Sequence, residues 1–403
     1  MNSRRSFLST SAAAVLGAMA VPSMSLAALG SGAPTSMDAA IDRFVRRRMA
    51  ELHVPGLSIA VWMKGKTLFE AAYGNASVEL GVPAAIDQVF KLASSSKLLA
   101  SPCMVRLLAQ HKISLNSQVG SLGFDWGRPW PEAWREITIR QLMSHSSGIP
   151  SVDELPSYQA LSHDKQLSLS VAEAVNMAAA APLTQRPGSK FIYGQTAYAI
   201  MGDIIRQLSK LSYVENVMQQ VFRPAGMTSA SYGDSRYVIP KRTATDYRLV
   251  DGKLVTHWVD YPEITYPAAG CNSTVGDVIK LFAGFYNETI LSRDQQELIW
   301  SHSVPLGDDV FYGLGVVIGA DRRGRRFVGH EGGGQSFNRY YPKEGLASAV
   351  LCNLNGSHAD DICKTACEIA LGDTEAASSS HALRRPVEQR VAHCRDYGRD
   401  AYV

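Results

Sequence analysis

Neither Cys-x-x-Cys nor His-Glu-x-x-His occurs in this chain, so two common zinc-ligand spacings are missing and no metal or other cofactor is expected. Six cysteines (Cys103, Cys271, Cys352, Cys363, Cys367, Cys394) are few for 403 residues, and they are scattered, which excludes a disulfide-dense scaffold. An oxidising compartment would still permit bridges, and the sequence leaves their pairing open. Cys363 and Cys367 lie four apart on a predicted helix, a spacing that suits two apolar side chains on one face better than a strained bridge. No apolar run reaches the ~20 residues that span a bilayer, so no membrane span is expected in the mature protein. Charge of one sign is scarce too. The formal charge of +3 includes Arg4 and Arg5 and becomes +1 without them, too little for a nucleic-acid partner. No Gly-x-Ser-x-Gly elbow is present either.

What is present describes a soluble globular enzyme, with 46% hydrophobic and 19% charged residues and enough length for a large core in two or three lobes. Residues 1–27 read as an export signal. Ser3-Arg-Arg-Ser-Phe-Leu8 carries paired arginines, a mild apolar core runs from Ser11 to Val21, and Ser25-Leu-Ala27 supplies small residues for cleavage. This predicts twin-arginine export to a bacterial periplasm. Residues 28–36 read as a linker, 37–372 as the folded domain, and 373–403 as a poorly ordered tail rich in Ser, Ala and Arg.

Within the domain, Ile41, Phe44, Val45 and Met49 recur at helical spacing up to Pro55-Gly56. Two apolar runs, Leu57 to Met63 and Thr67 to Tyr73, flank Lys64-Gly65 as a β-hairpin. Helices are predicted over 95–110, 138–145, 169–180, 196–209, 213–223, 275–286 and 293–301. Strand-like runs return at 311–318, 326–330, 337–341 and 346–352, before a last helix over 359–371. The pattern is α/β in the α+β sense: one antiparallel sheet built from both chain ends and flanked by helices, with the helical middle forming a second lobe.

The chemistry concentrates in three places. Ser94 and Lys97 lie three apart where an apolar helix begins, so both side chains leave one face. An ammonium beside a hydroxyl favours its alkoxide, and the helix N-terminus adds positive potential. Ser162 and Lys165 share this spacing, so one match alone is weak. Tyr193, in Tyr193-Gly-Gln195, sits just before a helix, where a phenol near two cationic groups can act as base and then acid; a core aromatic anchoring the loop is the plainer account. His330-Glu-Gly332-Gly333-Gly334 ends a strand, and its missing side chains let a substrate lie along the backbone, with His330 as a donor at the rim. A tight turn with an incidental histidine fits the same residues.

Taken in order, these residues resemble the serine β-lactamase and penicillin-binding-protein superfamily, nearest its class C-like branch of esterases, D-aminopeptidases and transacylases. Accessory stretches are similar too: Pro55 to Val61, Ile137 to Gly148, Phe222 to Met227, Ala268 to Gly270 and Ser273 to Asp277. The resemblance spans about residues 40–370 and implies the β-lactamase/transpeptidase-like fold. It implies Ser94 as acylated nucleophile, Lys97 as its activating partner and Tyr193 as general base. The backbone N–H groups of Ser94 and Gly333 would form the oxyanion hole, and Gln195, His330 and Gly332 would meet substrate. Gln195 stands where the family usually has Asn, and His330 where β-lactamases have Lys.

These expectations describe an exported serine hydrolase acting on small esters, amides or D-amino-acid-containing substrates through an acyl-enzyme. A D-aminopeptidase, a peptidoglycan peptidase, a weak β-lactamase and a non-turnover penicillin-binding sensor are the alternatives. Oligomeric state is left open. His145 tempts a Ser-His reading but fits a structural corner better. Trp126, Trp130 and Trp134, with Tyr158, line an acyl pocket or form a lid on the helical lobe.

Overall fold

The computed structural model describes residues 35–233, 242–301, 304–307 and 309–373. The predicted export signal, most of the linker and nearly all of the tail lie outside the described residues. The folded domain reaches slightly beyond its expected ends. Thr35 caps the first helix, Ser36–Leu52, through reciprocal bonds with Asp38. At the other end, buried Asp373 pairs with Arg322 at 2.5 Å and Arg323 at 3.3 Å, so it belongs to the fold and not to the tail.

A nine-stranded antiparallel sheet organises the molecule. Its spatial order is Val82–Pro83, Lys66–Ser77, Gly56–Met63, Leu346–Cys352, Ser336–Tyr341, Arg326–Gly332, Val317–Ala320, Val310–Tyr312 and Val304–Gly307. The first and last strands of the chain pair inside it, third and fourth in that order, where Leu57 faces Cys352 and Met63 faces Leu346. This is the expected closure of one sheet by both termini. Strand alternation divides the core in two. Leu57, Ile59 and Val61 pack with Ile41, Phe44, Val45, Ile362 and Cys363 of the two terminal helices. Ala60 and Trp62 face the helical lobe, whose core holds Leu99, Ile200, Ile204 and Phe282. Cys363 and Cys367 are both buried and unbridged on the last helix, Asp360–Ala370, as apolar packing requires. Among the described residues no helix is long and apolar enough to cross a membrane.

Three local expectations need correction. The run 311–318 is not one strand: Val310–Tyr312 and Val317–Ala320 form a hairpin. Gly315 turns it at φ 81, in a space where a Cβ would lie 2.2 Å from Ser101 Oγ of the helix Lys97–Gln110. The helix expected over 138–145 stops at Met143, and His145 takes a left-handed φ of 53. The segment 213–223 is α-helical only to Val217, then widens into a π-turn over Met218–Phe222.

The tryptophan run packs as a ladder. Trp126 and Trp130 rings are 4.9 Å apart, Trp130 and Trp134 rings 5.5 Å, and Trp126 and Trp134 are buried in the helical-lobe core. Tyr158 belongs to a separate cluster with Val152, Leu169 and Ile264. The tryptophans are therefore a covering layer on the lobe, not a pocket shared with Tyr158.

Candidate active site

Ser94 sits on a short 3₁₀ turn, Ala93–Ser96, that runs directly into the helix Lys97–Gln110. Ala93 takes a left-handed φ of 44, an uncommon conformation for a residue with a side chain and one that recurs beside reactive groups. The neighbouring serines hold the turn rigidly. Ser95 Oγ lies 2.7 Å from Ser336 Oγ and accepts from Asn338 Nδ2 at 3.0 Å, while Ser336 Oγ donates to Leu92 O at 2.7 Å. Ser96 Oγ accepts the Cys271 N–H, and Leu92 N–H donates to Cys271 O. Sheet and helical lobe thus meet at the turn that carries Ser94.

Lys97 is fully buried at 0% exposure. Its ammonium donates to Ala268 O at 2.9 Å, to Ser94 Oγ at 3.4 Å and to the Tyr193 oxygen. Three N–H bonds therefore have three acceptors, which is what a buried ammonium requires. The rings of Tyr193 and Tyr198 lie 4.5 and 5.1 Å from it. Tyr193 O–H in turn lies 2.7 Å from Ser94 Oγ, to which it donates. Ser94, Lys97 and Tyr193, far apart in sequence, thus form a closed triangle of hydrogen bonds.

The glycine run closes the site from the sheet edge. A Cβ on Gly332 would fall 2.1 Å from Leu92 O and 2.8 Å from Ser94 N, so only glycine allows this approach. Gly333 follows at φ 57, beside Ala93. The Ser94 amide and the Gly332-Gly333 segment are therefore neighbours.

Gln195 is buried, its backbone N–H bonded to Ser151 Oγ at 2.8 Å, while its Oε1 has no hydrogen-bond partner. His330 differs from the donor expected at the rim. Its Nδ1 faces the Glu331 carbonyl, which can only accept, so Nδ1 carries the proton. Nε2 is then the acceptor, 3.0 Å from the Tyr312 hydroxyl. Burial, with Lys97 nearby, lowers its pKa to about 3 despite the opposing Glu331 carbonyl. His330 is a neutral ring whose proton is engaged within the protein. His145 is likewise held well below its ordinary range by burial, then by Lys97 and His330. Its hydrogen bonds run to the Tyr193 loop and not to Ser94, in keeping with a structural corner.

The rival Ser162 is exposed and caps the helix His163–Leu167 by accepting the Lys165 N–H, while Lys165 Nζ pairs with Glu173 at 2.8 Å. Its spacing to Lys165 is that of a helix cap.

The family model described as Beta-lactamase matches residues 41–366. The chain is 23% identical over 326 residues to Protein flp of Staphylococcus aureus (strain NCTC 8325 / PS 47), covering 79% of this chain and 63% of that protein. It is 25% identical over 289 residues to Penicillin-binding protein 4* of Bacillus subtilis (strain 168), covering 67% and 61% respectively. The match thus spans less than two thirds of either relative. Among solved structures, the octameric penicillin-binding protein homologue from Pyrococcus abyssi superposes with a TM-score of 0.71 at 24% identity, over 83% of this chain and 77% of that one. D-amino acid amidase from Ochrobactrum anthropi SV3 gives 0.69 at 20% identity, over 85% and 99%. EstCE1, a hydrolase with promiscuous acyltransferase activity, gives 0.68 at 18%, also over 85% and 99%. At such identities the structural likeness is one of fold.

Proposed function

Because the chain belongs to the Beta-lactamase family, whose model matches residues 41–366, we propose that it is an exported, esterase-like serine hydrolase that works through a Ser94 acyl-enzyme. The observation that carries this reading is the triangle of Ser94, Lys97 and Tyr193. The paired arginines at Arg4 and Arg5 support export.

In the proposed cycle, the Tyr193 hydroxyl first loses its proton to solvent, and the resulting phenolate takes the Ser94 proton as Oγ bonds to the substrate carbonyl carbon. Lys97 remains an ammonium and steadies the phenolate, anchored by the Ala268 carbonyl. The developing oxyanion is received by the Ser94 and Gly333 N–H groups. As the tetrahedral adduct collapses, Tyr193 returns the proton to the departing alcohol or amine and Ser94 is left acylated. Water then adds to the acyl carbon, its proton passing to Tyr193 and onward to Ser94 Oγ as the acid is released.

Small esters need only this machinery, and neutral His330 offers no fixed cation for a β-lactam carboxylate. One observation favours D-amino-acid amides as a second class: the buried Gln195 Oε1 lacks a partner and would suit an N–H donor on the substrate. A non-turnover sensor has less support, since the base stands within hydrogen-bond distance of the nucleophile. The experiment is a side-by-side kcat/KM comparison of short-chain aryl esters, D-alanyl amides and a chromogenic cephalosporin. Ester turnover supports the reading. A stoichiometric burst without steady turnover on every substrate contradicts it.

A further inference from the structure

One residue outside the triangle holds the Tyr193 loop at three points. The His145 carbonyl accepts the Ile192 N–H at 2.8 Å, and His145 Nδ1 accepts the Gly194 N–H at 3.4 Å. Both amides flanking Tyr193 are therefore bound to the same residue. The His145 ring also lies on the Tyr193 ring, with centroids 4.2 Å apart and planes tilted by 34°. Tyr198 backs the imidazole at 4.9 Å and 29°, and is itself fixed by donating its hydroxyl to Met143 O at 2.9 Å. Phe191 and Tyr312 pack around it at 5.6 and 5.0 Å. His145 is only 1% exposed, so its ring has little room to move.

We propose that His145 is the positioning residue for Tyr193, fixing the phenol oxygen between Ser94 Oγ and Lys97 Nζ. This rests on the reading of Tyr193 as general base. The residue type follows from the geometry. A phenylalanine would keep the stacked ring but leave the buried Gly194 N–H without its acceptor, and an asparagine would keep an acceptor but lose the ring. The left-handed φ of 53 at this position shapes the choice of variants, because Asn adopts that conformation readily and Phe does not. Neutrality matters as well: a charged imidazole would set a second cation beside Lys97, and burial with that same charge keeps His145 uncharged. His145 does not touch the reacting atoms, so its effect on rate passes through the placement of Tyr193.

The test is a double-mutant cycle on the full enzyme, with an aryl ester as substrate. His145→Asn is expected to lower kcat by about 10–100-fold with KM changed less than ~3-fold, as a small displacement of a proton-transfer group does. In a Tyr193→Phe background the same substitution is expected to cost almost nothing further, since there is no base left to misplace. His145→Gly, which meets no backbone penalty at this φ, runs the same cycle and supplies the answer if the Asn variant does not fold; thermal melting reports folding of each. Equal fold-losses in both backgrounds would overturn the positioning role, leaving His145 a scaffold residue. Wild-type kcat in Tyr193→Phe alone would overturn the base assignment itself, and this inference with it.

Discussion

Lys97 Nζ and the Ala268 carbonyl oxygen lie 2.9 Å apart, and this bond couples the first residue of the helix Lys97–Gln110 to the loop that leads into the strand Cys271–Ser273. A buried ammonium held by a backbone carbonyl cannot swing away from its partners. The bond fixes where Tyr193 and Ser94 find their shared cation.

Tyr193→Phe should lower kcat with an aryl ester by about 10²–10⁴-fold, the usual contribution of positioned proton transfer, and Lys97→Ala should lower it as well by removing the cation that steadies the Tyr193 phenolate. Tyr193→Phe keeps the ring against His145 and should melt near the wild-type temperature. Lys97→Ala leaves the Ala268 carbonyl without its donor, at a cost of about 1–3 kcal/mol. An unchanged kcat in Tyr193→Phe would show that another group removes the Ser94 proton.

Stability should fall in acid because of the two buried histidines. His330 has a folded-state pKa of about 3 against an ordinary 6.5, and His145 is lowered in the same direction. Between those values the unfolded chain binds the extra proton and the folded chain does not. Stability is therefore intact above pH 6.5 and declines as pH drops toward 3, by up to about 1.4 kcal/mol per pH unit for each histidine. His330→Gln should flatten this slope in urea melts recorded across that window. An unaltered slope would mean that His330 takes no part in acid unfolding.

Gly332→Ala should suppress acylation, since the new Cβ would fall 2.1 Å from Leu92 O and 2.8 Å from Ser94 N. Stopped-flow measurement of the acylation burst would report it. A burst as fast as wild type would show that the glycine edge and the Ser94 turn separate freely.

Much of this arrangement was legible in the sequence because it depends on short-range patterns. The Lys64-Gly65 turn between two apolar runs marked the hairpin of Gly56–Met63 and Lys66–Ser77, and helical spacing marked the segments around Thr196–Ser209 and Val275–Tyr286. The spacing of Ser94 and Lys97 and the glycines after His330 marked the residues that now stand together. What could not be read were contacts made by backbone groups and by tertiary neighbours. The Ala268 carbonyl has no side-chain signature, and the Ser95, Ser336 and Asn338 network joins the strand Ser336–Tyr341 to a turn more than 200 residues away. The turn at Gly315 escaped because Phe311 to Ile318 reads as one apolar run, and only the packed helix beneath requires the break. His330 misled because its tautomer is set by the Glu331 carbonyl, which sequence does not place.

Butyrate ester hydrolysis should exceed cephalosporin hydrolysis in kcat/KM. A β-lactam carboxylate would call for a cation at position 330, and His330 is a neutral ring whose Nδ1–H is donated to the Glu331 carbonyl. Simple esters do not have that requirement. A cephalosporin preference would indicate that a different residue binds the carboxylate.

The central claim, that Ser94 is the acylated residue, is tested most directly by peptide mass spectrometry after labelling with a fluorophosphonate probe. The account predicts one adduct, on the peptide bearing Ser94, that disappears in Ser94→Ala and persists in Ser162→Ala, because Ser162 is an exposed helix cap whose Lys165 is paired with Glu173. An adduct that survives Ser94→Ala and is lost with Ser162→Ala would contradict it.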